Sequence, residues 1–244
     1  MEWSETGYIL GTRKHGESNL IVEALTRDHG RVMGLVRGGR GARGRSMLQA
    51  GNRVDLTWRA RLAEHLGNFS VEADSLRAAE MMADRIALAA LNTLNALLRL
   101  LPERDPHPLL FDLYEHVWQA LPHEAGWPAD MVRFEVLLLQ ELGFGLELDR
   151  CVSTGAREQL VYVSPKSGRA VSAAAGEPYR DRLLALPAFL HDDTSFAETP
   201  TALADGFRLT AYFLSRDVFA PRGIDPPVSR SELIRLLGDV QSGV

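Results

Sequence analysis

Arginine is concentrated in one short part of this chain. Residues 31 to 61 contain eight arginines and a single acidic residue, Asp55, so this stretch carries a formal charge of +7. Because the whole chain of 244 residues carries −5, the remainder carries −12. Solubility needs only a net charge away from zero, so this split indicates a local site for a polyanion. Arginine alternates with glycine at the centre of the stretch, which runs through Arg37, Gly38, Gly39, Arg40, Gly41, Ala42, Arg43, Gly44 and Arg45.

Phosphate is the anion that these residue types suit best. The guanidinium group offers a planar fork of five donors, and glycine lets the backbone follow a ligand of variable shape. We therefore predict a mobile basic arm and a basic face of the same domain, which together bind nucleic-acid phosphates. A flexible loop with idle arginines is the alternative, but Arg59 and Arg61 share an outward face and extend the same field. The predicted binding residues are Arg13, Lys14, Arg31, Arg37, Arg40, Arg43, Arg45, Arg59 and Arg61.

Stacking on bases is less evident than contact with phosphates. Trp58 and Phe69 fall on the inward face of their predicted strands, which favours core packing for both, and the sequence leaves the exposure of Tyr8 open. Binding should therefore be mainly electrostatic and weakly dependent on base sequence.

Signals for catalysis are poor. Gly39, Gly41 and Gly44 match G-x-G-x-x-G, but no strand–helix–strand unit surrounds them, so a nucleotide-dependent enzyme is the least favoured hypothesis. The seven histidines are scattered, and no metalloprotease, serine-hydrolase or P-loop motif occurs. Cys151 is the only cysteine and lacks an identifiable base, so a structural thiol is favoured over a nucleophile. We predict that the protein is not an enzyme.

Residue periodicity indicates strands first and helices afterwards. Alternation predicts strands at residues 7–14, 19–26, 31–37, 54–62 and 69–73, with a bulge or bend at Gly34, and five short strands favour a small closed barrel. Helical spacing follows from about residue 77. The predicted helices cover residues 91–101, 108–121, 128–142, 200–218 and 231–237. Strand-like residues 159–163 and 169–172 predict a hairpin inside the helical part.

The fold class is therefore α+β and multidomain, with domains at residues 1–77 and 78–244 and a hairpin insert at about 151–173. No run of 18 apolar residues and no export signal is evident, which favours a cytoplasmic protein.

Ordered motifs along the chain resemble the RecO family, the bacterial recombination mediators of the RecF pathway of DNA repair. Residues 7–22 (GYILGTRKHGESNLIV) resemble the family's opening strand pair, and residues 26–31 (TRDHGR) with 36–40 (VRGGR) resemble its second hairpin and basic loop. Residues 134–144 (FEVLLLQELGF) resemble its core helix. Residues 148–151 (LDRC) and 161–170 (VYVSPKSGRA) resemble its insert. The likeness spans about residues 5 to 220.

This resemblance implies an N-terminal OB-fold barrel joined to a helical domain. It also implies a non-enzymatic mediator that binds single- and double-stranded DNA, anneals strands and, with RecR, loads recombinase onto strands coated by single-stranded DNA-binding protein. The C-terminal tail of that coating protein would dock on the helical domain, in an apolar groove rimmed by basic residues. The rim candidates are Arg133, Arg208 and Arg216. An RNA-binding OB-fold module stays open as the alternative, because nothing in the residues separates ribose from deoxyribose recognition.

One departure from the family concerns zinc. Some members hold zinc through two C-x-x-C pairs that flank the insert, which is then a zinc-ribbon-like hairpin. Here the first pair runs from Cys151 to Thr154, and the second corresponds to Ser172 and Ala175. One thiolate out of four does not make a tetrahedral site, so we predict no zinc and no other cofactor.

Overall fold

The chain forms two compact units in a computed structural model, Met1–Pro122 and His123–Val244. The structure describes residues 1–62, 64–124, 126–191 and 199–241. Strands dominate the start of the first unit, and helices follow, so the predicted α+β class is confirmed. The boundary near residue 77 marks this change, and as a domain boundary it stays a prediction.

Five strands close into the predicted barrel. All neighbours are antiparallel except β3 and β5, which are parallel and meet at Leu35 and Asn68. The barrel closes because β1 pairs with both β2 and β4, which gives the order β1-β2-β3-β5-β4. The strands are β1 (Glu2–His15), β2 (Asn19–Thr26), β3 (Gly30–Val36), β4 (Arg53–Arg59) and β5 (Asn68–Ser75).

Alternation along the strands fills the barrel interior. In β4, the side chains of Val54, Leu56 and Trp58 are buried, whereas those of Asp55 and Arg59 are exposed. Phe69 is buried as well, so the inward placement of both aromatic residues is confirmed.

The strand pairing has no bulge at Gly34, and the sharp bend that was the alternative there stays a prediction. A Cβ atom at this position would lie 2.4 Å from the ring of Phe69, so close packing in the barrel requires the glycine. The pairing of β2 with β3 runs through Gly34 without a shift. The irregularity lies in β1, between Ile9 and Gly11.

Helices cover one side of the barrel within the first unit. The short α1 (Ala42–Met47) joins β3 to β4, and α2 (Ala78–Ala83), α3 (Arg85–Leu98) and α4 (Pro108–Ala120) follow β5. Asp84 caps α3 by accepting hydrogen bonds of 2.8 Å from two backbone N–H groups of its first turn.

Tyr8 of β1 packs against α4, where its ring lies 5.1 Å from those of Tyr114 and Trp118. Its hydroxyl donates to Glu115. Burial raises the pKa of Tyr8, and the hydrogen bond to the Glu115 carboxylate raises this pKa further. The side chain is therefore unavailable for stacking on bases.

The second unit combines helices with a small sheet. Its helices are α5 (Trp127–Glu141), α6 (Ala173–Gly176), α7 (Pro200–Phe213), α8 (Ala220–Arg222) and α9 (Val228–Gln241). A π-helical stretch, Leu214–Phe219, links α7 to α8. The predicted hairpin is confirmed as β6 (Leu160–Val163) and β7 (Ala170–Ser172). A third strand, β8 (Leu184–Ala185), was not predicted, because two residues show no periodicity.

A buried ion pair lies in the core of the second unit. Arg230 of α9 donates to both carboxylate oxygens of Glu135 of α5, at 2.7 and 2.9 Å. Thr210 of α7 also donates to Glu135. Glu135, Thr210 and Arg230 together link three helices, since each helix contributes one of these residues.

Candidate nucleic-acid interface

The arginine- and glycine-rich segment is folded against the barrel, and its mobility stays a prediction. Its turn is held to the β1–β2 loop, where the Gly38 N–H donates to the Asn19 side chain at 3.0 Å and the Arg40 N–H to the Ser18 carbonyl at 3.1 Å. A Cβ atom on Gly44 would lie 2.2 Å from the Gly39 carbonyl oxygen. The glycines therefore allow the segment to fold back on itself before α1 begins.

Two cavities flank this segment and share Gly44. The larger, of about 710 Å³, is lined by Lys14, Arg40 and Arg45 above an apolar floor that α2 and α3 help to form. The other, of about 580 Å³, is lined by Arg37 and Arg43 and by the polar outer residues of β5. Five of the predicted binding residues therefore lie around this folded segment, residues 37–45, which we call the ridge.

Arg59 and Arg61 extend the basic surface around the barrel. Arg59 pairs in register with Asn68, which in turn pairs with Leu35 near the end of β3. Two strand spacings, about 10 Å in all, thus separate Arg59 from the strand that leads into Arg37. Arg13 lies apart from the ridge in a smaller cavity of about 280 Å³, together with Glu23 and Arg99.

The predicted residues differ in whether a carboxylate already holds them. Arg31 is mostly buried and donates to Glu23 at 2.9 Å and to the Leu101 carbonyl at 3.0 Å. Arg59 is exposed but lies 2.7 Å from Glu2, and this hydrogen bond lowers the pKa of Glu2 and raises the pKa of Arg59. Arg40 donates to backbone carbonyls of the β1–β2 loop.

The remaining predicted cations make no side-chain ion pair or hydrogen bond within the described ranges. They are Arg13, Lys14, Arg37, Arg43, Arg45 and Arg61, and all six are exposed. Because none is neutralised locally, these are the groups most available to a phosphate.

Comparison with known proteins gives the family. A model described as "Recombination protein O N terminal" matches residues 1–75, and one described as "Recombination protein O C terminal" matches residues 82–223. The chain belongs to the RecO family. The RecO of Mesorhizobium japonicum, named "DNA repair protein RecO", is 52% identical over 97% of this chain and 94% of its own length. The RecO of Methylocella silvestris is 54% identical over 94% of this chain and 93% of its own length. The RecO of Methylobacterium nodulans is 52% identical over the full length of both chains.

Family membership gives the chain a role in DNA repair and recombination. The family descriptions name a repair and recombination protein and no class of enzyme. In the described part of the chain, the helices are too short or too polar to cross a membrane.

The insert carries one thiol at the place where the sequence resemblance implied a zinc site in some relatives. The Ser172 N–H donates to Cys151 Sγ at 3.3 Å, so the two flanks of the insert do meet. Thr154 and Ser172 contribute hydroxyls where zinc needs thiolates. Within the described residues, no three His, Cys, Asp or Glu side chains form a group that would hold a metal. The absence of zinc stays a prediction, which rests on the presence of one thiolate out of four.

Cys151 takes part in hydrogen bonds instead. Its thiol is buried. Burial opposes its ionisation, but hydrogen bonds with Ser172 and Thr154 outweigh burial and lower the pKa of Cys151 to about 6. The hairpin is held by this contact and by the buried Leu160 and Val163.

Carboxylates accompany all three candidate residues for tail docking. Arg133 lies 2.7 Å from Asp130 and also donates to the Phe189 carbonyl. Arg208 lies 2.5 Å from Asp205 and is well exposed. Arg216 lies 2.6 Å from Asp217, and its guanidinium is 5.5 Å from the centre of the exposed Tyr212 ring. Arg216 therefore lies beside an exposed aromatic ring.

Proposed function

We propose that this RecO protein is a non-enzymatic DNA-binding mediator of recombination. It binds single- and double-stranded DNA through the basic ridge of its barrel, promotes strand annealing and acts with RecR to load recombinase onto strands coated by single-stranded DNA-binding protein. Binding to DNA brings it to the nucleoid.

The observation that carries this proposal is the set of unneutralised cations around the folded ridge. Lys14 and Arg45 line one flanking cavity, and Arg37 and Arg43 line the other. A nucleic-acid backbone that crosses the ridge meets guanidinium groups on both sides, and it releases counterions as these groups replace them. Since the groups are cations without aromatic partners, the contacts would position the strand and carry little base specificity.

A salt titration of DNA binding tests the proposal. We expect fluorescence anisotropy with a short single-stranded oligomer to give a log Kd that rises with log salt, by roughly 0.7 for each phosphate contact. Replacing Lys14, Arg37, Arg43 and Arg45 with alanine should weaken binding and remove most of that slope. A duplex of equal length should lose affinity in parallel, because both forms present phosphates.

A matched control comes from the second unit. Arg157 and Arg182 are exposed and make no side-chain ion pair with any described residue, so Arg157→Ala and Arg182→Ala remove cations of the same kind. Their binding and slope should equal those of the wild type. A quadruple variant with an unchanged slope would refute the proposal. Competition between DNA and RNA oligomers of matched sequence decides between this function and an RNA-binding module.

Docking of the tail of single-stranded DNA-binding protein on the second unit is part of the same proposal. Arg216 beside Tyr212 is the best supported of the three rim candidates, because a cation and an exposed apolar ring suit a peptide that ends in an apolar residue and a carboxylate. Arg216→Ala should weaken binding of a fluorescent tail peptide more than Arg208→Ala, and equal affinities would contradict this choice.

A further inference from the structure

An apolar cavity of about 320 Å³ lies in the first unit, where β1 begins and β4 ends. Its walls include Trp3, Val32, Trp58 and Pro106, and His29 from the β2–β3 turn closes one side. Ligand cavities start at about 300 Å³, so this one suits a single planar ring system better than a peptide segment.

Three aromatic rings form a nearly parallel series in this cavity. The ring of Trp3 lies 4.0 Å from that of His29 at 10°, and 5.9 Å from that of Trp58 at 14°. Trp58 is buried, but Trp3 is only partly buried and the His29 side chain is 37% exposed. The outer part of the series is therefore accessible, and rings of this kind are what nucleobases stack on.

The cavity is continuous with the proposed phosphate-binding surface. Glu2 at its rim pairs with Arg59, and the amino group of Met1 donates to the Ala60 carbonyl at 2.8 Å. Arg61, which makes no side-chain ion pair in the described residues, follows directly. Arg59 also neighbours Asn68, which lines the cavity of Arg37 and Arg43. Phosphates bound at Arg61, Arg37 and Arg43 would lead a strand to the aromatic cavity.

From these observations we propose that the cavity accepts one unpaired nucleobase of a bound strand. This inference rests on the proposed function and assigns part of its specificity. Phosphate contacts alone do not distinguish single strands from duplexes, whereas a base reaches the cavity only where it is unpaired. Asp28 also lines the cavity, but Glu2 is paired with Arg59, and the neighbouring Arg61 and Arg104 favour a nucleotide over an aromatic side chain of a protein partner.

His29 is positioned for this role by Glu5. Its Nδ1 lies 2.8 Å from one carboxylate oxygen, while the other oxygen accepts the backbone N–H groups of Arg27 and Asp28. Glu5 therefore keeps two donors when the imidazole is removed. His29→Ala deletes the ring, and His29→Phe keeps a flat ring but loses the hydrogen bond, so the pair separates stacking from a purely structural role.

The test compares two single-stranded oligomers of equal length, one normal and one with abasic residues, by anisotropy at two salt concentrations. We expect the wild type and His29→Phe to prefer the normal oligomer by about 5- to 160-fold, the range for one stacked base. His29→Ala should lose most of this preference. All three proteins should show the same salt slope, because no phosphate contact changes.

Equal binding of both oligomers by the wild type would overturn the inference, and it is also the result expected if the cavity holds a protein side chain. Loss of the preference in both variants would overturn the assigned role of His29, since it would trace the effect to the hydrogen bond with Glu5. In each case an intact salt slope would leave the proposed function standing, whereas failure of that function would abolish the slope in every protein.

Discussion

Arg31 and Arg37 lie at opposite ends of the third barrel strand, and their replacement should have opposite consequences. Arg37 is exposed and makes no side-chain ion pair with a described residue. Arg31 is 14% exposed and donates to the Glu23 carboxylate and the Leu101 carbonyl. We predict that Arg37→Ala weakens DNA binding without a change in stability, and that Arg31→Ala lowers stability without a change in the salt dependence of binding.

The structure sets the size of both effects. If the six unpaired cations and Arg40 each contact one phosphate, log Kd changes with log salt by about 5, and Arg37→Ala lowers this by about 0.7. Arg31→Ala removes a charge-assisted hydrogen bond, which lowers the free energy of unfolding by roughly 1.5–3 kcal/mol. Arg99 also lies 2.8 Å from Glu23, so the carboxylate keeps one partner and the lower end of that range is expected.

Two measurements on the same preparations check the prediction. Anisotropy titrations at several salt concentrations give the slope, and urea unfolding gives the free energy. The reasoning is refuted if Arg31→Ala lowers the slope as much as Arg37→Ala does, because a guanidinium held by Glu23 would then still be reaching phosphate. It is also refuted if Arg37→Ala destabilises the fold by more than about 1 kcal/mol, which is beyond the usual effect of a surface substitution.

Three further outcomes are expected. Glu135→Ala should lower the free energy of unfolding, measured in urea, by roughly 3–5 kcal/mol, because it leaves Arg230 buried and unpaired. The double variant Glu135→Leu/Arg230→Met should have a stability close to that of the wild type. A small loss of stability in Glu135→Ala would count against this reasoning. Elemental analysis of the purified protein should find far less than one zinc per chain, and a full equivalent would contradict the ligand argument. The folded state lowers the pKa of Cys151 to about 6. The wild type should therefore be more stable than Cys151→Ser above the pKa of the unfolded thiol, and this advantage should be lost as pH falls through about 6. Thermal unfolding that shows the same stability difference between the two proteins at pH 6 and at pH 9 would refute the prediction.

Sequence patterns predicted the elements that repeat and missed those defined by packing. The barrel strands and long helices have several turns or pleats of periodic residues, so their bounds came within a few residues in most cases. The two-residue β8 has no period. The conformation of the arginine- and glycine-rich segment depends on the close contact of Gly44 with Gly39, which glycine content alone does not distinguish from flexibility.

The sequence predicted which cations belong to the candidate site, but it did not predict which of them form ion pairs with carboxylates. Arg31, Arg59 and Arg37 look alike in the sequence, yet Glu23 and Glu2 hold the first two. These carboxylates lie on other strands, so their proximity depends on the register of the barrel. The stack of Trp3 on His29 was missed for the same reason, since 26 positions separate the two residues and the pairing of β1 with β2 brings them together.

An acidic chain is no obstacle to binding DNA when its charges are arranged in this way. Within the first unit, carboxylates pair with arginines that support the barrel, as Glu23 does with Arg31 and Asp74 with Arg53. The cations of the ridge have no such carboxylate partner among the described residues. At physiological salt the field of a charge decays over about 8 Å, so acids elsewhere on the chain do little to offset these cations at the ridge. The local excess therefore governs the approach of a phosphate backbone, and the net charge of −5 limits only association at long range and low salt.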